Sequence, residues 1–308
     1  MVLAAIDIGS NAIRLLISNV YEETDKTIYK KFSLTRVPIR LGEDAFLTGK
    51  ISVEKTLAVI KAMIAFKHLM EIHQPEAYLA LATSAMRHAE NGGRIVAEIK
   101  RQTGIEVEII DGQKEAEIIY STHIAEEMEK DCAYLYIEVG GGSTEISLFA
   151  HGHNIFSRSF PIGTVRLLHN LMDSADWDEL KLFLKVHTPG YTPIVGIGTG
   201  GNINTIFKML FKKEGKPLTL SRLKKTCKFI EDHSLEDRVK ILGLRPDRAD
   251  VIVPAMKIYL SIMKWSGIAK IIVPKIGLAD GIIHLLNEKY KNAEKPETYK
   301  PLIYVSDV

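Results

Sequence analysis

Apolar and polar positions along this chain recur with two different periods, and the switches between them mark its elements. Residues 134–149, YLYIEVGGGSTEISLF, hold two apolar runs around three consecutive glycines. After the glycines, Ile146 and Leu148 fall on one face and Ser147 on the other, which is the period of a strand. The pattern predicts a β-hairpin with Glu138 just before its turn and Ser143, Thr144 and Glu145 just after it. Residues 2–17, VLAAIDIGSNAIRLLI, have the same layout of apolar run, acid (Asp7), Gly/Ser/Asn turn and apolar strand. Asp7-Ile8-Gly9-Ser10 lines up with Glu138-Val139-Gly140-Gly141. Two copies of acid, turn and strand predict two related halves, each bringing a turn and a carboxylate to a shared cleft.

The remaining pattern is that of an α/β protein. Residues 27–39 predict further strand, and Arg40-Leu41-Gly42 a loop. Ser52 is a candidate N-cap with Glu54 in the first turn. Its helix puts Leu57, Ile60, Ile64 and Met70 near one face. Residues 78–83 (YLALAT) read as a buried strand that enters a strand-to-helix turn at Ser84-Ala85-Met86-Arg87. A helix over 93–102 and a strand over 107–110 follow. Asp111-Gly112 forms a turn and cap for a long helix, 113 to about 129, with Ala116, Ile119, Tyr120 and Ile124 on its apolar face. The polar run Glu129-Lys130-Asp131 is the expected boundary, giving domains at 1–129 and 130–281. The second half predicts strands at 154–160, 193–197 and 271–273. Its helices fall at 177–184, 202–211, 221–232 and 248–265, with a last helix at 282–290 before a charged tail.

Composition narrows the class. The 308 residues suffice for two ordinary domains, and 46% hydrophobic with 25% charged residues is a soluble globular composition. A net charge of +2 gives no ground for a nucleic-acid or membrane surface. Cys132 and Cys227, the only cysteines, lack metal-like spacing and make no disulfide framework. The start meets Asp7 too early for a signal peptide, and no apolar run is long enough to span a bilayer. A cytoplasmic protein is expected.

Three glycines let a backbone approach a ligand closely, and successive N–H groups in such a turn can cradle an anion. The turn alone leaves a hairpin without ligand open; its repetition with the acid in register favours phosphate. A third loop, Gly196-Ile197-Gly198-Thr199-Gly200-Gly201, satisfies G-x-G-x-x-G. A dinucleotide site is disfavoured, because the loop lies two-thirds along the chain and the two earlier turns lead into strands. His151-Gly152-His153 is expected to be a solvated turn rather than a metal site, and Met63 and Met70 to be core. Residues 208–228 hold eight Lys or Arg against the single acid Glu214.

An ordered set of motifs carries a resemblance. DIGSNAIRLLI, RLG at Arg40, ATSAMR at Ala82, IIDGQKEA at Ile109, IEVGGGSTE at Ile137, GIGTGGN at Gly196, RPDRADVIVP at Arg245 and GLADGI at Gly277 follow one another over nearly the whole chain. Together they resemble the exopolyphosphatase/guanosine pentaphosphate phosphatase (Ppx/GppA) family, in its short two-domain type. The resemblance implies two actin-like (ribonuclease H-like) domains of the actin/Hsp70/sugar-kinase superfamily around a central cleft, with the helix at 282–308 returning to the first. It implies hydrolysis of the terminal phosphate of inorganic polyphosphate or guanosine pentaphosphate, with Mg²⁺. Glu115 matches the family's catalytic glutamate; without the resemblance it is one helix acid among many. Glu138 and Glu145 match the acids assigned to the metal, and Asp7 is grouped with them. Ser10, Asn11, Arg14, Ser84, Arg87, Gly140, Gly141, Gly142, Ser143, Thr144, Gly200 and Gly201 match phosphate-contacting positions.

Two departures bear on activity. The family usually has Asp where Glu138 stands; the extra methylene moves the carboxylate by about one C–C bond, comparable to the ~1 Å misplacement that can weaken catalysis about 100-fold. It also usually has an acid where Lys114 stands, beside Glu115. Two other functions stay open at this level: a small-molecule kinase of the same superfamily, and a non-catalytic sensor that binds guanosine tetra- or pentaphosphate. The oligomeric state is open too, a homodimer included.

Overall fold

The alternating run at the N-terminus forms β1 (Val2–Ile8) and β2 (Ile13–Glu22), antiparallel across the first turn. β3 (Thr27–Val37) extends the meander. Then come α1 (Leu41–Leu47), α2 (Val53–His73), β4 (Ala77–Ala82), α3 (Ser84–His88), α4 (Gly92–Thr103), β5 (Val107–Ile109) and α5 (Gly112–Tyr120). β4 lies parallel to β1 and β5 parallel to β4, giving the sheet order β3-β2-β1-β4-β5. The computed structural model describes residues 1–24, 26–120, 122, 132–151, 153–210, 216–274 and 276–292. Ile124, the expected boundary at 129–131, Gly152, Lys212, Lys213 and the tail from 293 lie outside the described residues.

The second glycine hairpin is β6 (Ala133–Val139) and β7 (Thr144–Ala150), continued by β8 (His153–Phe160). It is followed by α6 (Thr164–Leu168), α7 (Ser174–His187), β9 (Ile194–Thr199), α8 (Gly201–Leu210), β10 (Leu218–Thr219) and α9 (Leu220–Glu231). α10 (Leu235–Lys240), α11 (Pro246–Ala249), α12 (Ile252–Ser266), β11 (Lys270–Ile272) and α13 (Leu278–Asn292) complete the chain. The order of this sheet is β10-β11-β9-β6-β7-β8. Read from its far edge, β8-β7-β6-β9-β11 repeats β3-β2-β1-β4-β5 strand for strand, and β10 is an added edge. The two halves are thus built on one plan, the actin-like α/β domain.

Two compact units result: Met1–Thr122 with Leu278–Val308, and His123–Gly277. In the first, Leu278, Ile282, Ile283 and Leu286 of α13 share a core with Leu3, Ala5 and Leu16 of the sheet and Ile118 of α5. Val59, Met63, Phe66 and Met70 of α2 cover the opposite face with Ile6, Ile8 and Ile13. Leu57, expected on that face, is 51% exposed. Apolar residues occur all round α2, so period alone selects no single face. In the second unit, Leu223, Cys227 and Ile230 of α9 are buried at helical spacing, and Lys224, Lys225 and Lys228 lie outside.

Several elements differ from the sequence pattern. α1 occupies part of the expected loop after β3, and α6 follows β8. Neither helix has a side-chain cap, and residue Arg40 before α1 is left-handed (φ 58°), so the usual start signals are missing. The single helix expected over 248–265 is two, α11 and α12, separated at Asp250 and Val251. Among the described residues no helix is long and apolar enough to cross a membrane.

Candidate active site

The two hairpin turns close alike. Gly9 N–H donates to the Ala12 carbonyl at 3.2 Å, and Gly140 N–H to the Ser143 carbonyl at 2.9 Å. The residue pairs that flank them also correspond. Asp7 faces Arg14 across β1 and β2, and Glu138 faces Glu145 across β6 and β7. The chemistry differs, because Arg14 Nη1 binds the buried Asp7 carboxylate in a close ion pair. Asp7, expected at a metal, therefore has its charge met within its own sheet. The carbonyls of Ser10 and Asn11 accept from Gly42 N–H (2.8 Å) and Arg40 N–H (3.1 Å).

The second hairpin sets acid against acid. Thr199, Glu138, Glu145 and Ser159 are register neighbours on β9, β6, β7 and β8, so they form one row on one face. The row is hydroxyl, carboxylate, carboxylate, hydroxyl. Glu145 Oε1 accepts from Ser143 Oγ at 2.6 Å and from Ser159 Oγ at 3.0 Å, while Thr199 Oγ1 reaches Glu138 Oε2 at 3.5 Å. Like charges facing across a strand pair destabilise it. Beneath the row, the fully buried Tyr259 hydroxyl reaches the carbonyls of Thr199 (2.9 Å) and Ile137 (3.2 Å). Burial first, and then the Glu138 charge, raise its pKa well above the ordinary tyrosine value.

This donor set fits Mg²⁺. The ion takes hard oxygen ligands, needs only one or two carboxylates and keeps waters or phosphate oxygens for the rest. A cation between two facing carboxylates would offset their repulsion. Among the described residues no three His, Cys, Asp or Glu side chains gather as a metal centre, so the protein would supply only part of the shell. His151 and His153 are both exposed.

Of the glycine turn, the amides of Gly141, Gly142 and Ser143 have no acceptor among the described residues. Thr144 is fully buried and donates its hydroxyl to the Ile162 carbonyl at 2.5 Å, so only its backbone remains available to a ligand. The third loop lies in the same unit. Gly196 and Gly198 are residues of β9 itself, and Gly200 bends the chain at φ +94°. A Cβ on Gly200 would stand 3.5 Å from Glu138 Oε1, which brings this loop to the carboxylate row. A Cβ on Gly201 would stand 2.1 Å from Arg248 Nη2. Arg248 is buried and donates to Asn202 Oδ1 at 2.7 Å, so a guanidinium covers the start of α8. Sequence reading did not single out Arg248 or Asn202, although both stand inside quoted motifs; a buried arginine has no signature in hydropathy.

In the first unit, Glu115 lies in the first turn of α5 and is 8% exposed. Asp111 caps this helix: its Oδ1 accepts from Lys114 N–H at 2.7 Å, and its carbonyl from Glu115 N–H at 3.1 Å. The Lys114 ammonium pairs with Glu108 on β5, in an exposed bridge. Arg87 Nη1 donates to the Ile110 carbonyl at 2.6 Å, which fixes its guanidinium beside the capping turn. Ser84, at the start of α3, is buried, and among the described residues its hydroxyl has no partner. Buried hydroxyls nearly always have one, so an orphan here marks a place for a ligand or water.

Residues 19–289 match the Ppx/GppA phosphatase family. The chain is similar to exopolyphosphatase 2 of Mycobacterium tuberculosis, 26% identical over 91% of this chain and 96% of that protein. It is also similar to the guanosine-5'-triphosphate,3'-diphosphate pyrophosphatase of Aeromonas hydrophila, 22% identical over 97% of this chain and 62% of that protein. The crystal structure of the Aquifex aeolicus member of the Ppx/GppA family has a TM-score of 0.76 and 25% identity, covering 95% of this chain and 99% of that one. With the repeated sheets, the two glycine hairpins and a match over most of its length, the chain belongs to the Ppx/GppA phosphatase family.

Proposed function

We propose that the protein is a phosphohydrolase that releases the terminal phosphate of inorganic polyphosphate or of guanosine pentaphosphate. Similarity to an exopolyphosphatase and to a guanosine pentaphosphate pyrophosphatase supports this substrate class. The observation that carries the reading is the second hairpin, where three successive amides without an acceptor among the described residues stand beside a facing carboxylate pair. Phosphoryl transfer needs donors for the phosphate oxygens and a counter-charge for the leaving group. Gly141, Gly142 and Ser143 supply the first through their backbone. Glu138 and Glu145 would hold Mg²⁺, which when bound offsets charge on the leaving phosphate. Ser84, Arg87, Arg14 and the backbone of Ser10, Asn11, Gly200 and Gly201 add donors that orient the chain of phosphates. Glu115, in the first turn of α5, takes the proton from the attacking water. The water oxygen bonds to the terminal phosphorus, and the bridging oxygen leaves with the shortened chain.

Phosphate release from both substrates, across a range of Mg²⁺, tests the reading. Turnover of at least one is expected. E138A and E145A should each raise the Mg²⁺ needed for half-maximal rate about tenfold or more, since even an outer-shell partner is worth about 10–100-fold in metal affinity. E138D, which restores the usual family residue, reports separately whether the longer side chain limits the rate. No release from either substrate at any Mg²⁺ would overturn the reading, and tight nucleotide binding without turnover would assign a sensor instead.

A further inference from the structure

Three consecutive carbonyls of the glycine turn are held from one side by three consecutive residues. Gly140 O accepts from Thr164 N–H at 3.0 Å and Gly141 O from Val165 N–H at 2.8 Å. Gly142 O accepts from Arg166 Nε at 2.9 Å. The first two donors are backbone groups that any residue would provide; the third belongs to the arginine alone. The approach is as close as it can be, because a Cβ on Gly163 would stand 2.3 Å from Gly141 O. The Thr144 hydroxyl ties the far end of the turn to the same segment through Ile162.

Peptide planarity turns this grip into an orientation. In a trans peptide the C=O of one residue and the N–H of the next point in opposite directions. Holding the carbonyls of Gly140, Gly141 and Gly142 against α6 therefore sends the N–H groups of Gly141, Gly142 and Ser143 away from it. These three amides have no acceptor among the described residues. Glycine gives such a turn little resistance to peptide rotation, so the orientation depends on the contacts that hold it. The first hairpin has a shorter form of the device. There Gly42 and Arg40 N–H groups hold the Ser10 and Asn11 carbonyls, and both donors are backbone.

We propose that Arg166 is a positioning residue that fixes the Gly142–Ser143 peptide plane, and so presents the Ser143 N–H to phosphate. The role rests on the reading of the turn as a phosphate cradle. R166M keeps the length and packing of the stem and removes the donor; R166K keeps a donor. The measurements are the amide resonances of Gly141, Gly142 and Ser143 in the ¹⁵N-labelled full chain titrated with inorganic phosphate, the kcat and KM of phosphate release, and the thermal midpoint. In the wild type, phosphate should shift all three amides. R166M should displace the Ser143 amide most, and raise both the phosphate Kd and KM about 10- to 100-fold, the worth of one hydrogen bond to a charged group. R166K should recover most of the affinity. Wild-type turnover and amide shifts that R166M leaves unchanged would overturn the role alone. So would a fall in midpoint and active fraction at constant KM, which is the mark of a merely structural residue. Absence of wild-type amide shifts would overturn the cradle itself and the role with it.

Discussion

Asp7 and Glu138 stand at the same place in their hairpins and have different neighbours. Arg14 neutralises Asp7, whereas Glu138 looks across at Glu145. The hairpin with the acid pair is the one whose glycine amides lack an acceptor among the described residues, so the proposed cation and anion binding would be concentrated there. The repeat of acid, turn and strand made Glu138 visible in the sequence, and the family motif added Glu145; that the two face each other depends on the register of β6 and β7. It could not reveal that Arg14 would pair with Asp7, since arginine in that place suits phosphate equally well. Glu115 was invisible without the family motif; its burial depends on tertiary packing that periodicity does not encode. Lys114, a departure from the family beside it, spends its charge on Glu108. The residue-scale prediction follows. E115Q should lower kcat about 10²–10⁴-fold, the usual range for a lost general base, with little change in KM or thermal midpoint. More than a third of wild-type turnover in the purified variant would remove Glu115 from the mechanism.

Among the elements, the hairpins were legible because period-2 alternation stops abruptly at glycine. α5 and α2 were legible through Asp111 and Ser52, whose side chains do cap them. α1 and α6 were not, because both begin without a side-chain cap and run for less than two turns. Yet both follow the third strand of their sheets, and the segments at their starts hold the two turns. α9 carries a different prediction. Its inward face is Leu223, Cys227 and Ile230, so Lys224, Lys225 and Lys228 lie on its exposed side. Arg222 Nη2 reaches the Leu210 carbonyl at 3.4 Å, which joins this basic helix to the end of α8. α8 begins at the Gly200–Gly201 loop, so cations continue along the chain away from the proposed phosphate site. Replacing Lys224, Lys225 and Lys228 together with Gln should weaken binding of long polyphosphate. By counterion release at ~0.7 per contact, it should also flatten the dependence of log K on log salt by about 2. Tripolyphosphate and guanosine pentaphosphate should bind as before. An unchanged salt slope would leave the strip as ordinary solvated surface.

For the whole molecule, the sequence disclosed a repeat through two acids in register, and the structure extends it to five strands in the same order. The helices between corresponding strands differ in length, and in the connection from β9 to β11 also in number, so the repeat fades from the sequence outside the hairpins. The proposed function reduces to one claim: water attacks the terminal phosphorus of a phosphate chain. A kinase built on the same fold would pass that phosphorus to another acceptor, and a sensor would leave it in place. Turnover in H₂¹⁸O separates the three. The account predicts one ¹⁸O atom in each orthophosphate released from polyphosphate or guanosine pentaphosphate, and none in the shortened chain. Orthophosphate without ¹⁸O, or label from the terminal phosphate appearing on another metabolite, would contradict it.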